Sequence, residues 1–334
     1  MKYNLSDVCS RLSSGKNIKA SEISSEGEYP VFGGNGQRGF TNHFNFDGEC
    51  AIIGRQGAFC GNVRYFSGKA YMTEHAVVVC ANDKSNIRYL AYLLSRMQLG
   101  RLSGQSAQPG LSVKVLAQQE IELPSIEYQN KIASILDSIE AKIFLNTAIN
   151  DNLEATAQAV FQDQFASYYG CDKLPEGYSI VSLDSLCTVK GGKRLPADCE
   201  LLDDPTEHPY IRVRDVGGSR YVCLTDQFQY IDEETHQAIS RYIVNTGDIV
   251  ISIVGTIGLL GKIHSSLDKA NLTENCVKLA GIHTVTSDYL YYTLCYKKQI
   301  KEIDLLTVGA VQAKLPMYNI QSMKVLVPPT KVIS

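Results

Sequence analysis

The sequence predicts an α+β protein: two similar mixed α/β domains joined by a long helix of coiled-coil type. Three observations lead there. The chain repeats itself at an offset near 200, each copy carries short apolar runs between turn residues, and a 40-residue interval between the copies contains neither glycine nor proline. At 334 residues the chain is long enough for two domains with separate cores.

The repeat opens with Leu5-Ser6-Asp7-Val8-Cys9-Ser10, which resembles Leu183-Asp184-Ser185-Leu186-Cys187-Thr188. Each stretch soon reaches a Gly-Lys pair, Gly15-Lys16 and Gly192-Lys193. Phe46-Asp47-Gly48-Glu49-Cys50-Ala51-Ile52-Ile53 then resembles Asn245-Thr246-Gly247-Asp248-Ile249-Val250-Ile251-Ser252, and glycine-rich segments follow, Gly54 to Gly61 and Gly255 to Gly261. The register settles at 200, where Thr73-Glu74-His75 meets Thr273-Glu274-Asn275 and Tyr89-Leu90-Ala91-Tyr92 meets Tyr289-Leu290-Tyr291-Tyr292. At 204, Gln108, Leu111, Leu123 and Pro124 meet Gln312, Leu315, Val327 and Pro328. A dozen landmarks in the same order imply duplication, and a missed repeat would mis-assign the whole fold.

Within each copy, Cys50–Ile53 and Ala76–Cys80, or Ile249–Ile253 and Cys276–Leu279, are short apolar runs bounded by Gly, Asn and Asp, the signature of strands. One amphipathic helix is expected after them, over Ile87–Met97 or Ser287–Ile300, from apolar residues three and four apart. Strands with few helices and no regular βαβ rhythm point to α+β.

Between the copies, Ile132, Leu136, Ile139, Ile143, Ile149, Leu153, Ala157 and Val160 fall mostly three or four apart across Ile126 to Phe165. This reads as one long helix with a narrow apolar stripe that wants another helix along it. At 1.5 Å per residue it would span roughly 60 Å. The expected boundaries are residues 1–125, 126–166 and 167–329, with 330–334 opening a further helix.

Composition removes several classes. No apolar run of about 18 residues exists to cross a membrane, and the N-terminus has no apolar core of a secretion signal. The net charge of −3 hides a distribution. Residues 1–125 carry 13 basic and 10 acidic side chains, residues 126–166 carry 2 and 6, and residues 167–334 carry 17 and 19. Any nucleic-acid surface must therefore be a local basic patch. The ten cysteines form no C-x-x-C pair and have no nearby His at zinc-ligand spacing, so they read as small buried hydrophobes in a reducing cytoplasm.

Gly34, Gly36 and Gly39 make a literal G-x-G-x-x-G, and Phe32 to Gly36 fits F-x-G-x-G. A phosphate cradle needs a helix to begin at the last glycine. The following Phe40-Thr41-Asn42-His43-Phe44-Asn45-Phe46 is aromatic, Asn-rich and non-helical, so the expectation is a glycine loop with Asn35, Gln37 and Arg38 as polar tips. Gly258 to Lys262 misses a P-loop, because Thr256 stands where glycine is required. No Ser-His or Cys-His motif is present, so a non-catalytic chain is expected.

The segment Leu111-Ser112 through Ile121-Glu122-Leu123-Pro124, running into Glu127-Tyr128-Gln129-Asn130-Lys131-Ile132-Ala133-Ser134-Ile135-Leu136-Asp137, resembles the specificity subunit of type I restriction–modification systems, as does Asn152-Leu153 to Phe165. The resemblance covers nearly the whole chain. It implies two target-recognition domains, each reading half of a bipartite, asymmetric double-stranded DNA site, with the helix setting the gap at no more than about 17 base pairs. It also implies modification and restriction subunits as partners. S-adenosylmethionine, ATP and Mg are expected on those partners, and no cofactor or metal on this chain. The family's second long helix is expected to be absent after Pro328-Pro329, which would leave the first stripe to a partner subunit or a second copy of this chain.

Contacts to DNA need Arg or Lys for phosphates and Arg, Asn, Gln or Lys for base edges. The candidates are Lys16, Asn35, Arg38, Arg55, Gln56 and Arg64 in the first copy, and Lys193, Arg194, Arg212, Arg214 and Lys262 in the second. Lys16, Arg55, Lys193 and Arg194 rank first because they flank glycine at matching points of the two copies. Glu74 and Glu274 are expected to brace the fold, and Tyr89, Tyr92, Tyr289 and Tyr292 to pack between elements. Two alternatives stay open: a solitary methyltransferase using the Gly34 loop, and a short regulatory form that occupies modification subunits.

Overall fold

The computed structural model describes residues 1–57, 59–103, 110–171, 173–309 and 313–333. Two of the repeat's landmarks, Gln108 and Gln312, lie outside the described residues. The chain divides into two compact units, Met1–Thr147 and Ala148–Ser334.

In the first unit a six-stranded sheet runs in the order Cys9–Ser14, Ala76–Ala81, Phe46–Gly54, Val63–Met72, Tyr29–Gly33, Gly36–Thr41. Neighbours are antiparallel except Tyr29–Gly33 beside Val63–Met72, where Val31 and Phe32 pair in parallel with Tyr71 and Met72. Alternate residues of a strand face opposite sides. Ala51, Ile53, Val77 and Val79 meet the helix Ile87–Arg96 through Leu90 and Leu94, while Cys50, Ile52 and Val78 pack with Phe46 and Met72 on the other face. Because both faces are covered, Cys50–Ile53 and Ala76–Val79 are apolar without interruption. The helix begins at Asn86, whose side chain accepts the Tyr89 amide at 2.9 Å.

The second unit repeats this plan. A five-stranded sheet runs Thr188–Gly191, Cys276–Ala280, Ile249–Ser252, Leu260–Ile263, Tyr221–Val222, and a three-stranded one runs Gln229–Ile231, His208–Ile211, Asn271–Leu272. The parallel pairing recurs, Tyr210 and Ile211 against Asn271 and Leu272. What is one strand in the first copy, Val63–Met72, is here split by an insertion carrying the 3-10 turn Ser265–Leu267. Ile249, Ile251, Val277 and Leu279 face Leu290 and Leu294, with Val250 and Cys276 on the far side.

Hydrogen bonds reproduce the flanking landmarks of the repeat, while the strand read at an offset of 199 is corrected by one residue, since Ala51 and Ile53 pair with Val79 and Val77 as Ile249 and Ile251 pair with Leu279 and Val277. Gly15 N donates to Ala76 O at 3.0 Å and Lys16 N to Met72 O at 2.9 Å, while Gly192 N donates to Cys276 O at 2.9 Å and Lys193 N to Leu272 O at 2.8 Å. Leu111 N donates to Arg55 O at 2.8 Å and Leu315 N to Ile253 O at 3.0 Å. Each unit also pairs its own first and last strands, Lys2–Asn4 with Glu120–Glu122 and Ser179–Ser182 with Lys324–Val327.

The long helix runs unbroken over Ile126–Phe165. Its first turns dock on the first unit: the buried Gln129 donates to Lys84 O at 3.1 Å and Pro124 O at 2.9 Å and accepts the Asn86 amide at 3.0 Å. Its last turns bury Phe161 and Phe165 against Tyr289 in the second. Between the docked ends Ile139, Ile143, Ile149, Leu153 and Val160 are exposed, together with Ile135, Phe144 and Leu145, whereas Ile132 and Leu136 are half-buried and Ala133 is buried.

Two further expectations need correction. The helix foreseen over Ser287–Ile300 is two helices, Ser287–Cys295 and Lys297–Leu306. Tyr296 between them is extended, with φ −69° and ψ 139°, and its ring lies 5.2 Å from that of Tyr169 and 6.1 Å from that of Phe161. The cysteines are not uniformly buried either, since Cys171 and Cys223 are exposed. No helix among the described residues is long and apolar enough to cross a membrane.

Candidate nucleic-acid interface

The glycine stretch is a hairpin between Tyr29–Gly33 and Gly36–Thr41, with Asn35 at its tip and Gln37 and Arg38 exposed on the second strand. Gly39 lies within that strand, so the last glycine of the motif does not open a helix. Its tip packs against the glycine-rich turn that follows Phe46–Gly54, where a Cβ on Gly54 would stand 2.3 Å from the Gly34 oxygen. This approach gathers Asn35, Gln37, Arg38, Gln56 and His75 around one cleft of about 570 Å³.

The second unit builds its cleft at the same landmark. Arg194, Arg212, Arg214, Tyr210, Glu274 and Asn275 line a space of about 430 Å³. Asn275 stands at the repeat position of His75, so both clefts border the Thr-Glu-His/Asn corner. Arg194 Nε donates to Glu274 Oε1 at 2.8 Å. Burial pushes the Glu274 carboxyl up, but hydrogen bonds from Arg194 and its neighbours outweigh this and leave it below its usual range. Arg214 Nη2 donates to Gln227 O at 3.0 Å, and Arg212 Nε lies 3.7 Å from Asp215, whose carboxyl burial pushes up to about 6. The Arg212 Nε and Nη2 are buried without a hydrogen-bond partner.

The clefts thus gather Asn35, Arg38 and Gln56 in one unit and Arg194, Arg212 and Arg214 in the other. Five candidates stand elsewhere. Lys16 is exposed outside the cleft. Arg55 is half-buried, and the hydrogen bonds to Leu111 and Leu315 make its counterpart the apolar Ile253 rather than a second cation. The Arg64 guanidinium lies over Gly36, where a Cβ would meet it at 3.0 Å. Lys193 Nζ sits 5.8 Å from the Tyr242 ring centre. Lys262 is a correction: it is buried, ion-paired with Asp288 and 5.9 Å from the Tyr221 ring, because its strand lies inside the sheet rather than on a loop. Sequence reasoning placed neither His75 nor Asn275 in a site. The signal was there, a repeat landmark whose third residue alone changes.

Glu274, expected to brace the fold, instead pairs with the exposed Arg194 at the cleft. Glu74 differs, with one oxygen 3.2 Å from His75 Nε2 and the other buried without a partner. The tyrosines tie each unit to the helix: Tyr92 OH donates to Asp137 at 2.9 Å and Tyr292 OH to Glu154 at 3.1 Å. Burial pushes the thiols of Cys9, Cys50, Cys187 and Cys276 up to about 12, which keeps them protonated at neutral pH. No group of three or more His, Cys, Asp and Glu that could hold a metal occurs among the described residues.

A family model for the type I restriction modification DNA specificity domain matches residues 1–155 and again 175–332. The chain belongs to this family. It is 44% identical over 134 residues to the EcoprrI specificity subunit of Escherichia coli, covering 39% of this chain and 33% of that protein. It is 22% identical over 269 residues to the MjaIX specificity subunit of Methanocaldococcus jannaschii, covering 73% of this chain and 59% of that one. These matches therefore span less than two thirds of either relative. The crystal structure of a type I restriction–modification S subunit from M. genitalium aligns with a TM-score of 0.63 at 18% identity, covering 98% of this chain and 84% of that one. That likeness is one of fold: two mixed α/β specificity domains with a long helix between them.

Proposed function

We propose that this chain is the non-catalytic DNA-reading subunit of a type I restriction–modification complex, acting in the cytoplasm on a bipartite, asymmetric double-stranded site. One observation carries the reading. The same fold occurs twice in one specificity-domain chain, and each copy presents a cleft at the same corner, with different charged and polar side chains at its rim and, in the second, Leu195, Leu201 and Val213 among them. Different side chains on a shared scaffold read different bases. The unbroken helix would fix the gap between half-sites, as geometry does for dimeric DNA-binding proteins.

Modification subunits would supply methyl transfer with S-adenosylmethionine, and a restriction subunit ATP- and Mg-dependent cleavage. The exposed stripe from Ile139 to Val160 suits docking of a modification subunit or of a second copy of this chain. The test is expression of the chain with its modification subunits, followed by methylome sequencing. A split motif with two different halves, lost when the gene is removed, is expected. Methylation without a split motif would overturn the reading. A chain that binds the modification subunits and yields no methylation would be the regulatory form, and binding of S-adenosylmethionine to the isolated chain would restore the solitary methyltransferase.

A further inference from the structure

The geometry points to Arg194, held by Glu274, as a guanine-reading fork of the second half-site. This rests on the DNA-reading function above and adds the base chemistry at one position.

Arg194 is 81% exposed, yet it is not loose. Its Nε donates to Glu274 Oε1 at 2.8 Å, and Glu274 Oε2 accepts from Thr273 Oγ1 at 3.0 Å, so the carboxylate is fixed at both oxygens. The backbone beneath is fixed too. Tyr210 OH donates to the Lys193 carbonyl at 2.7 Å, and Gly192 lies so close to the corner that a Cβ there would meet the Thr273 oxygen at 2.0 Å. An arginine tied at Nε keeps its plane and leaves Nη1 and Nη2 free of protein partners among the described residues. Two parallel N–H donors in one plane match the O6 and N7 acceptors that guanine alone presents together in the major groove. An arginine that only neutralises phosphate needs no such brace.

The first copy is an internal contrast. Gly15-Lys16-Asn17 occupies the place of Gly192-Lys193-Arg194, so Asn17 stands where the fork would be, and Glu74 pairs with His75 instead. The guanine contact at this corner therefore belongs to the second half-site only.

The test uses the chain assembled with its modification subunits. The methylated motif is mapped for the wild type, Arg194→Gln, Arg194→Lys and Glu274→Gln, and complex affinity is measured on the matched site and on each single-base-pair variant. One guanine of the second half-site should be preferred roughly tenfold to a hundredfold over other bases. Arg194→Gln should abolish that preference at that base pair alone, leaving the first half-site and the gap unchanged. Arg194→Lys should keep affinity better than discrimination, because an ammonium lacks the planar fork. Glu274→Gln should lose part of the same preference and no other, which marks it as a positioning residue. An unchanged motif, or an equal loss on every sequence with the salt slope reduced by about one, would make Arg194 a phosphate contact and overturn the inference. If the wild-type complex methylates no split motif, the functional reading fails and takes this inference with it.

Discussion

Gly15 and Gly192 are required by distance rather than by turn preference. A Cβ at either would stand 2.0 Å from a backbone oxygen, that of Met72 or Thr273, and backbone cannot step aside as a flexible side chain can. Gly192→Ala should cost the second unit at least about 2 kcal/mol, read by thermal unfolding, and on the proposed function should weaken DNA binding by displacing Arg194. Asp215 supplies a pH dependence. Burial raises its carboxyl from 3.8 to about 6, so the folded form holds the proton more tightly than the unfolded chain. Its contribution is fully present below about pH 4 and is lost as pH rises through 6. The stability of the wild type relative to Asp215→Asn should accordingly fall by about 2 kcal/mol between pH 4 and 7, measured by denaturant titration at each pH.

The elements are held to the long helix by matched but unequal contacts. In the first unit Arg88 bridges Asp137 and Glu140 while lying 4.1 Å from the Tyr65 ring centre. In the second, Arg220 pairs with Asp288 and donates to the Tyr292 hydroxyl at 3.1 Å, which in turn donates to Glu154. Arg88→Ala should destabilise the first unit by about 1–3 kcal/mol, seen as a lower melting temperature of that transition alone. Elements whose signal is local were legible in the sequence. Cys50–Ile53 and Ala76–Cys80 were continuous apolar runs, and Ile126–Phe165 needed only the absence of glycine and proline. Elements decided by distant partners were not. The break at Tyr296 depends on rings more than 100 residues earlier, and the strands Lys2–Asn4 and Glu120–Glu122 are too short to announce themselves before they meet. The site follows the same rule. Asn35, Arg38 and Gln56 were visible as polar tips on glycine loops, whereas the place of Lys262 inside the sheet, paired with Asp288, is revealed by no local pattern.

At the scale of the whole chain, the middle of the helix has little to do with the stability of either unit. Ile143 and Leu153 are 61% and 63% exposed, so Ile143→Asp and Leu153→Asp should change the unfolding free energy little, within about 0.5 kcal/mol. Co-purification with modification subunits, or self-association, should fall at least about tenfold, the loss expected of one well-buried apolar anchor. Thr147→Pro should cost helix continuity, about 3 kcal/mol locally, while each unit keeps its own unfolding transition. The methylated motif should then keep both half-sites and lose its fixed gap. Closure of each unit on itself, through Lys2–Asn4 with Glu120–Glu122 and Ser179–Ser182 with Lys324–Val327, has a genetic corollary. A crossover that falls within the helix codons should transfer one self-paired unit whole and leave the strand pairing of the other undisturbed.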